Sequence, residues 1–237
     1  MRITRIVASA ATAALVGTTL IAVSAPAQAT ETLTTTTTLE LPYLNPEVAT
    51  MHGDDVIVRG AVTGSDGGSV YKGTVTLFAI TSSNPAGAPI ATVPASGYLS
   101  FPDLKVTESM VLKAVYSGYA ATSTYEDNYT PSESVVAELP VTRKVVMKDK
   151  GTTLFGKITP DYKRKPIKVE KKVGKKWKKF KTFKTKSSGK FRFKLPAPRR
   201  GKWHWRITVK GGNGFVPWQT VGSTYSYRTA APRVSVD

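Results

Sequence analysis

Twelve cations, Lys168, Lys172, Lys175, Lys176, Lys178, Lys179, Lys181, Lys184, Lys186, Lys190, Arg192 and Lys194, crowd one stretch of the chain. A solvated lysine is a strongly hydrated point charge with three donors, suited to holding the oxygens of phosphates, sulfates or carboxylates. A surface of such charges binds linear polyanions by releasing their condensed counter-ions, with a steep dependence on salt. It grips repeated charge and reads no sequence, so no specific nucleic-acid recognition is expected. The stretch is a candidate polyanion-binding site. Lysine also keeps sheet edges from pairing and keeps a protein in solution, so a purely solvated basic face stays open as the rival reading.

Other reactive side chains are sparse. The chain has two histidines, His52 and His204, and no cysteine, which removes thiol nucleophiles and thiolate metal sites. His52 opens His52-Gly53-Asp54-Asp55, but one imidazole and two adjacent carboxylates lack the spaced fourth ligand of a closed metal site. That segment reads as a turn entering a strand. There is no G-x-S-x-G elbow, phosphate-binding glycine loop or H-E-x-x-H pair. Residues 142–237 hold only Asp149, Asp161, Glu170 and Asp237 as carboxylates, a poor supply for a hydrolytic acid–base pair. No catalytic residue, no metal and no cofactor is expected.

Charge divides along the chain. Residues 30–141 carry four Lys or Arg against twelve Asp or Glu, a net −8, while residues 142–237 carry 28 against four, a net +24. This predicts an acidic domain over 30–141, a strongly basic one over 142–228, and a flexible tail over 229–237. The opposite signs also allow an acidic-to-basic contact, between the domains or between molecules. Ahead of both, Arg2 and Arg5 precede an apolar run over 6–23, and Ala27-Gln28-Ala29 supplies small residues at cleavage-site spacing. Residues 1–29 therefore read as a cleaved signal peptide, and the mature protein as secreted. The run contains Thr, Ser and Gly and is short for a membrane span, so no transmembrane anchor is expected. Without disulfides, each exported domain must be held by its own core.

Strands must position these charges. Residues 32–41 are threonine-rich and β-branched, a strand signal with a glycosylated stalk as its rival. Residues 54–64 and 73–80 are short β-rich runs closed by Gly and Asp. In 110–119, Val111, Lys113 and Val115 alternate with Leu112, Ala114 and Tyr116. Turn clusters at 65–68 and 82–89 separate the runs, and no stretch after residue 29 holds a helical period for three turns. Many short strands with regular turns mean a sandwich or a barrel, so the fold class is all-β.

The order Gly73-Thr74-Val75-Thr76-Leu77, Ala114-Val115-Tyr116-Ser117-Gly118 and Ser132-Glu133-Ser134, after the threonine-rich opening, resembles the bacterial Ig-like (group 3-like) repeat domain of secreted actinobacterial surface proteins. The likeness spans most of 32–139, and residues 119–128 insert where that family has a shorter loop. The second half is similar to another exported β-sandwich module. Its marks are Gly156-Lys157-Ile158-Thr159-Pro160, a basic stretch with Trp177, and Gly189-Lys190-Phe191-Arg192-Phe193. These resemblances imply two tandem Ig-like β-sandwich domains that serve as spacer or binding modules and not as catalysts.

The lysine stretch itself could be an amphipathic membrane-surface helix, with Val169, Val173, Trp177, Phe180 and Phe183 on one side. Gly174 opposes this, costing a helix about 1 kcal/mol relative to Ala. Ile167, Val169 and Val173 also fit a strand, with Gly174-Lys175-Lys176 as turn. A β-hairpin is therefore predicted, with Trp177 and one or both of Phe180 and Phe183 turned inward and a bulge between Trp177 and Phe180. On it the lysines form a face, with Lys184, Lys186, Lys190, Arg192 and Lys194 close by. In the following strand Trp203, Trp205, Ile207 and Val209 share the inner face. The partners expected of an exported basic face are anionic cell-wall polymers such as teichoic acids, anionic lipid, or released DNA and polysaccharide. The alternatives are a structural spacer and a generic extracellular nucleic-acid binder.

Overall fold

The structure, a computed structural model, describes residues 31–45, 49–227 and 230–236. The signal peptide expected over 1–29 lies outside the described residues. Every regular element among them is a strand, and among the described residues no helix is long and apolar enough to cross a membrane.

In the first half, Ser132–Glu133, Met110–Tyr116, Thr74–Thr81 and Ala88–Pro94 lie side by side in one sheet, and Ala137–Leu139 also pairs with Met110–Tyr116. A second sheet holds Thr35–Glu40, Arg59–Gly64 and Leu99–Ser100. The two share one core. Val62 and Leu99 meet Val75, Leu77, Leu112, Ala114 and Tyr116, none more than 1% exposed. The alternation seen in the sequence is the cause: every second residue of Met110–Tyr116 is buried. Burying a side chain of Val or Leu size stabilises by about 1.5–3 kcal/mol. The threonine-rich opening is a paired strand and not a stalk, with Thr37 buried and its hydroxyl 2.7 Å from that of Ser132.

The second half repeats the arrangement. A five-stranded sheet runs in the order Lys176–Lys184, Pro166–Val173, Gly201–Val209, Trp218–Tyr227, Ala230–Val236. Facing it is a three-stranded sheet of Lys144–Lys150, Thr153–Thr159 and Lys190–Lys194. Ile167, Val169, Trp205, Ile207 and Val209 of the larger sheet pack with Leu154, Ile158, Phe191 and Phe193 of the smaller. The rings of Phe183 and Phe193 stack across the gap with centroids 4.3 Å apart. Trp205, 1% exposed, donates its indole N–H to Thr224 Oγ1 at 2.9 Å, so its polar atom is satisfied.

The loose tail expected over 229–237 is a correction. Ala230–Val236 is an antiparallel strand on Trp218–Tyr227, and Val234 lies in the second core. Backbone pairing and the buried Val234 order a segment whose sequence alternates only weakly.

The halves meet through apolar and backbone contacts. Phe215 packs against the first core and stands edge-on to His52, with ring centroids 6.0 Å apart. Ser109 N donates to Gly214 O at 2.6 Å, and Val216 N to Val141 O at 2.9 Å. Arg143, 4% exposed, donates to the carbonyls of Pro160, Lys210 and Gly212 at 3.2, 3.2 and 2.8 Å, and its guanidinium lies 4.5 Å from the Phe215 centroid. Among the described residues no ion pair joins the acidic half to the basic one.

Candidate functional site

The predicted hairpin is present. Pro166–Val173 pairs with Lys176–Lys184, and Gly174 takes a φ of 60° as the first of two linking residues, the place glycine holds in tight two-residue turns. The bulge is present too. Val169 pairs with Lys181 and Glu170 with Lys179, so Phe180 is the extra residue. The bulge reverses side-chain parity along the strand. Phe183 faces the core, Phe180 is 43% exposed and meets the edge of Trp205 at 5.0 Å, and Trp177 turns away from the core altogether. Trp177 pairs with Lys172 and lies under the Arg206 guanidinium at 5.0 Å, on the outer face. The inward Trp177 is thus corrected, because the bulge sits between it and Phe183.

All twelve candidate cations are exposed, but they do not share one face. Lys168, Lys172, Lys179 and Lys184 alternate with the inward Ile167 and Val169 and their partners, and so occupy the outer face of the five-stranded sheet. Lys176, Lys178 and Lys181 carry the opposite parity and line the inner side of the hairpin where it passes beyond the core. Lys175 is in the turn, and Lys186 lies in the connection to the next strand. Lys190, Arg192 and Lys194 flank the buried Phe191 and Phe193 and therefore point out from the other sheet, on the opposite side of the sandwich.

The hairpin's outer face is partly neutralised. Glu170, with its side chain 6% exposed, accepts from Lys168 Nζ at 2.7 Å and from Arg206 at 2.8 Å. The hydrogen bond from Lys168, with Arg206 adding to it, holds this carboxyl below the usual range against the opposing effect of desolvation. Lys171 Nζ sits 3.2 Å from the centroid of Trp203, and Lys172 lies 6.0 Å from that of Trp177.

The three-stranded sheet is different. Lys144, Lys148, Lys150 and Lys157, none of them among the sequence candidates, project from its outer face beside Lys190, Arg192 and Lys194. Register sets them in rows: Lys150, Thr153, Lys194; then Lys148, Phe155, Arg192; then Val146, Lys157, Lys190. Asp149, between Lys148 and Lys150, has the inward register opposite Leu154 but is exposed, and none of these seven cations forms an ion pair among the described residues. Phe155 and the 48%-exposed Val146 lie between the charges, in a depression of about 390 Å³ shared with Lys148, Lys157, Lys190 and Arg192. Gly156 lets the strands close here, since a Cβ would strike the Val146 carbonyl. The alternation of Lys144, Val146, Lys148 and Lys150 was visible in the sequence. The strand that joins them to Lys190–Lys194 was not.

A second opening of about 770 Å³ lies at one end of the sandwich, between Lys150, Lys194 and Phe180. His52 belongs to a turn, its Nδ1 2.8 Å from Thr107 O, while Asp54 Oδ2 accepts from Met51 N at 3.0 Å. His204 is exposed on the outer face of its strand. Among the described residues no group of three or more His, Asp or Glu is placed to hold a metal ion.

No family model matches the chain, and no curated protein matches it. Solved structures do. The ligand-binding domain of human OSCAR is 13% identical, with a TM-score of 0.29, the match covering 81% of this chain and 96% of that one. A two-domain fibronectin type-III segment from chicken tenascin is 8% identical, with a TM-score of 0.36, covering 78% and 93%. Native alpha-2-macroglobulin from Escherichia coli is 8% identical, with a TM-score of 0.24, covering 84% and 96%. Likeness at this level carries nothing about function, and the architecture rests on the sheet pairings and shared cores themselves.

Proposed function

We propose that this chain is an exported, non-catalytic protein of two Ig-like sandwiches, in which an acidic spacer precedes a basic module that retains it on anionic cell-surface or extracellular polymers. The observation that carries this reading is the exposure of all twelve candidate cations in a half whose net charge is +24. Self-repulsion on that scale opposes folding unless counter-ions or an anionic surface relieve it. Screening at physiological ionic strength acts over about 8 Å, so neighbouring cations on one face bind together while distant ones do not. Wall polymers, acidic polysaccharide and released nucleic acid all offer the required charge, and the reading favours wall polymers because nothing in the surface is built to read bases. The test compares binding to purified wall polymer and to DNA at equal charge and salt. Tighter binding to wall polymer supports the reading, whereas preference for DNA replaces it with nucleic-acid binding.

One observation favours a spacer instead. Lys176–Lys184 is an edge strand, and lysines along an edge prevent sheet-to-sheet pairing. That role predicts self-association when the edge lysines become glutamine, with polymer binding absent from the start.

A further inference from the structure

We infer that the polyanion lies on the outer face of the three-stranded sheet, not on the hairpin, and that it is a linear phosphodiester polymer. This rests on the polyanion reading above and names the face and the ligand chemistry within it. Three observations lead there. First, two of the hairpin's cations are engaged inside the molecule, Lys168 with Glu170 (which also accepts from Arg206 of the neighbouring strand) and Lys171 with Trp203, while none of the seven on the smaller sheet forms an ion pair among the described residues. Second, Lys157 and Lys190 are direct cross-strand partners. Like charges directly opposite one another destabilise a sheet, and no acid in the neighbouring outward positions offsets this pair. A bound anion between them would.

Third, the spacing suits a chain. Cations two apart on one strand, as in Lys190, Arg192 and Lys194, stand about 6.7 Å apart along the strand and repeat in the neighbouring strands. Six lysines and one arginine offer mainly single-point donors. These suit a monoanionic phosphodiester repeated along a backbone better than the two-oxygen recognition of separate carboxylates, for which the guanidinium fork is used. Phe155 and Val146, apolar and in the middle of the charges, would pack on the uncharged carbon segments between phosphates.

The test uses the exported chain, residues 30–237, with poly(glycerol phosphate) as probe and poly-L-glutamate of matched charge as its comparison. Two triple variants remove equal charge: K148Q/K157Q/K190Q from the sheet face, and K172Q/K175Q/K176Q from the hairpin. The sheet variant is expected to reduce the slope of log K against log salt by about 2, and the hairpin variant by less than about 1. Should the sheet triple fail to fold, K150Q/K194Q on the same face is compared with K172Q/K175Q on the hairpin, each removing two charges. Equal losses, or a larger loss from the hairpin, would overturn the assigned face while leaving the polyanion reading in place. Equal affinity for poly-L-glutamate would overturn the phosphodiester assignment. Failure of the unaltered chain to bind either polymer would instead bring down the retention reading itself.

Discussion

Glu126 accepts from Lys72 at 2.7 Å and from Tyr119 at 2.7 Å, and Thr122 donates to it through both backbone and hydroxyl. The Lys72 hydrogen bond, followed by those of Tyr119 and Thr122, lowers this carboxyl from 4.5 to about 2. A depressed carboxylate contributes stability that is present above its unfolded value and lost as pH falls through its folded value. The first core should therefore lose thermal stability between pH 4.5 and about 2, and Glu126→Gln should flatten that decline. A decline unchanged in the variant would assign the acid sensitivity elsewhere. Lys190 offers the opposite kind of test. Facing Lys157 across the strands, Lys190→Glu should stabilise the second core by up to about 1 kcal/mol in chemical denaturation while weakening polymer binding. Loss of stability would show that the two charges do not strain the fold.

At the scale of elements, one bulge decides which tryptophan matters. Trp205 is 1% exposed in the second core, whereas Trp177 lies outside it beneath Arg206. Trp205→Ala should cost about 3–5 kcal/mol, and Trp177→Ala less than about 1 kcal/mol, read from denaturant midpoints. Comparable costs would put Trp177 back in the core. The inward face of Gly201–Val209 and the alternation of Met110–Tyr116 were legible because apolar residues recur there at every second position. Trp177 was misread although the bulge was expected, because the extra residue is Phe180 itself, which leaves Phe183 inward and puts Trp177 on the outer face. The terminal strand was missed because only Val234 among its described side chains reaches the core. The lysine-rich hairpin stood out as a contiguous run, while the sheet face drew its cations from 144–157 and 190–194, which only strand pairing brings together. Sequence reasoning found the hairpin cations together with Lys190, Arg192 and Lys194, and did not join the latter to Lys144, Lys148, Lys150 and Lys157 on one sheet face.

The whole molecule joins an acidic and a basic sandwich at a junction crossed by no ion pair among the described residues. Arg143 is held there by three carbonyls and by the rings of Phe215 and Tyr162, and burial pulls its guanidinium below the usual range. Lysine cannot reproduce that fork, so Arg143→Lys should destabilise the protein by about 1–3 kcal/mol in thermal or denaturant unfolding. A neutral result would mean the carbonyls find other donors. The junction is formed by backbone and apolar contacts, and the twelve candidate cations over 168–194 are exposed to solvent. The measurement that bears most directly on the account is co-sedimentation of residues 30–237 with purified cell walls across a salt series, before and after the walls' anionic polymers are stripped. The account predicts binding at physiological salt that falls steeply as salt rises and disappears from stripped walls. Binding that ignores salt or survives stripping, or no binding at all, would contradict it.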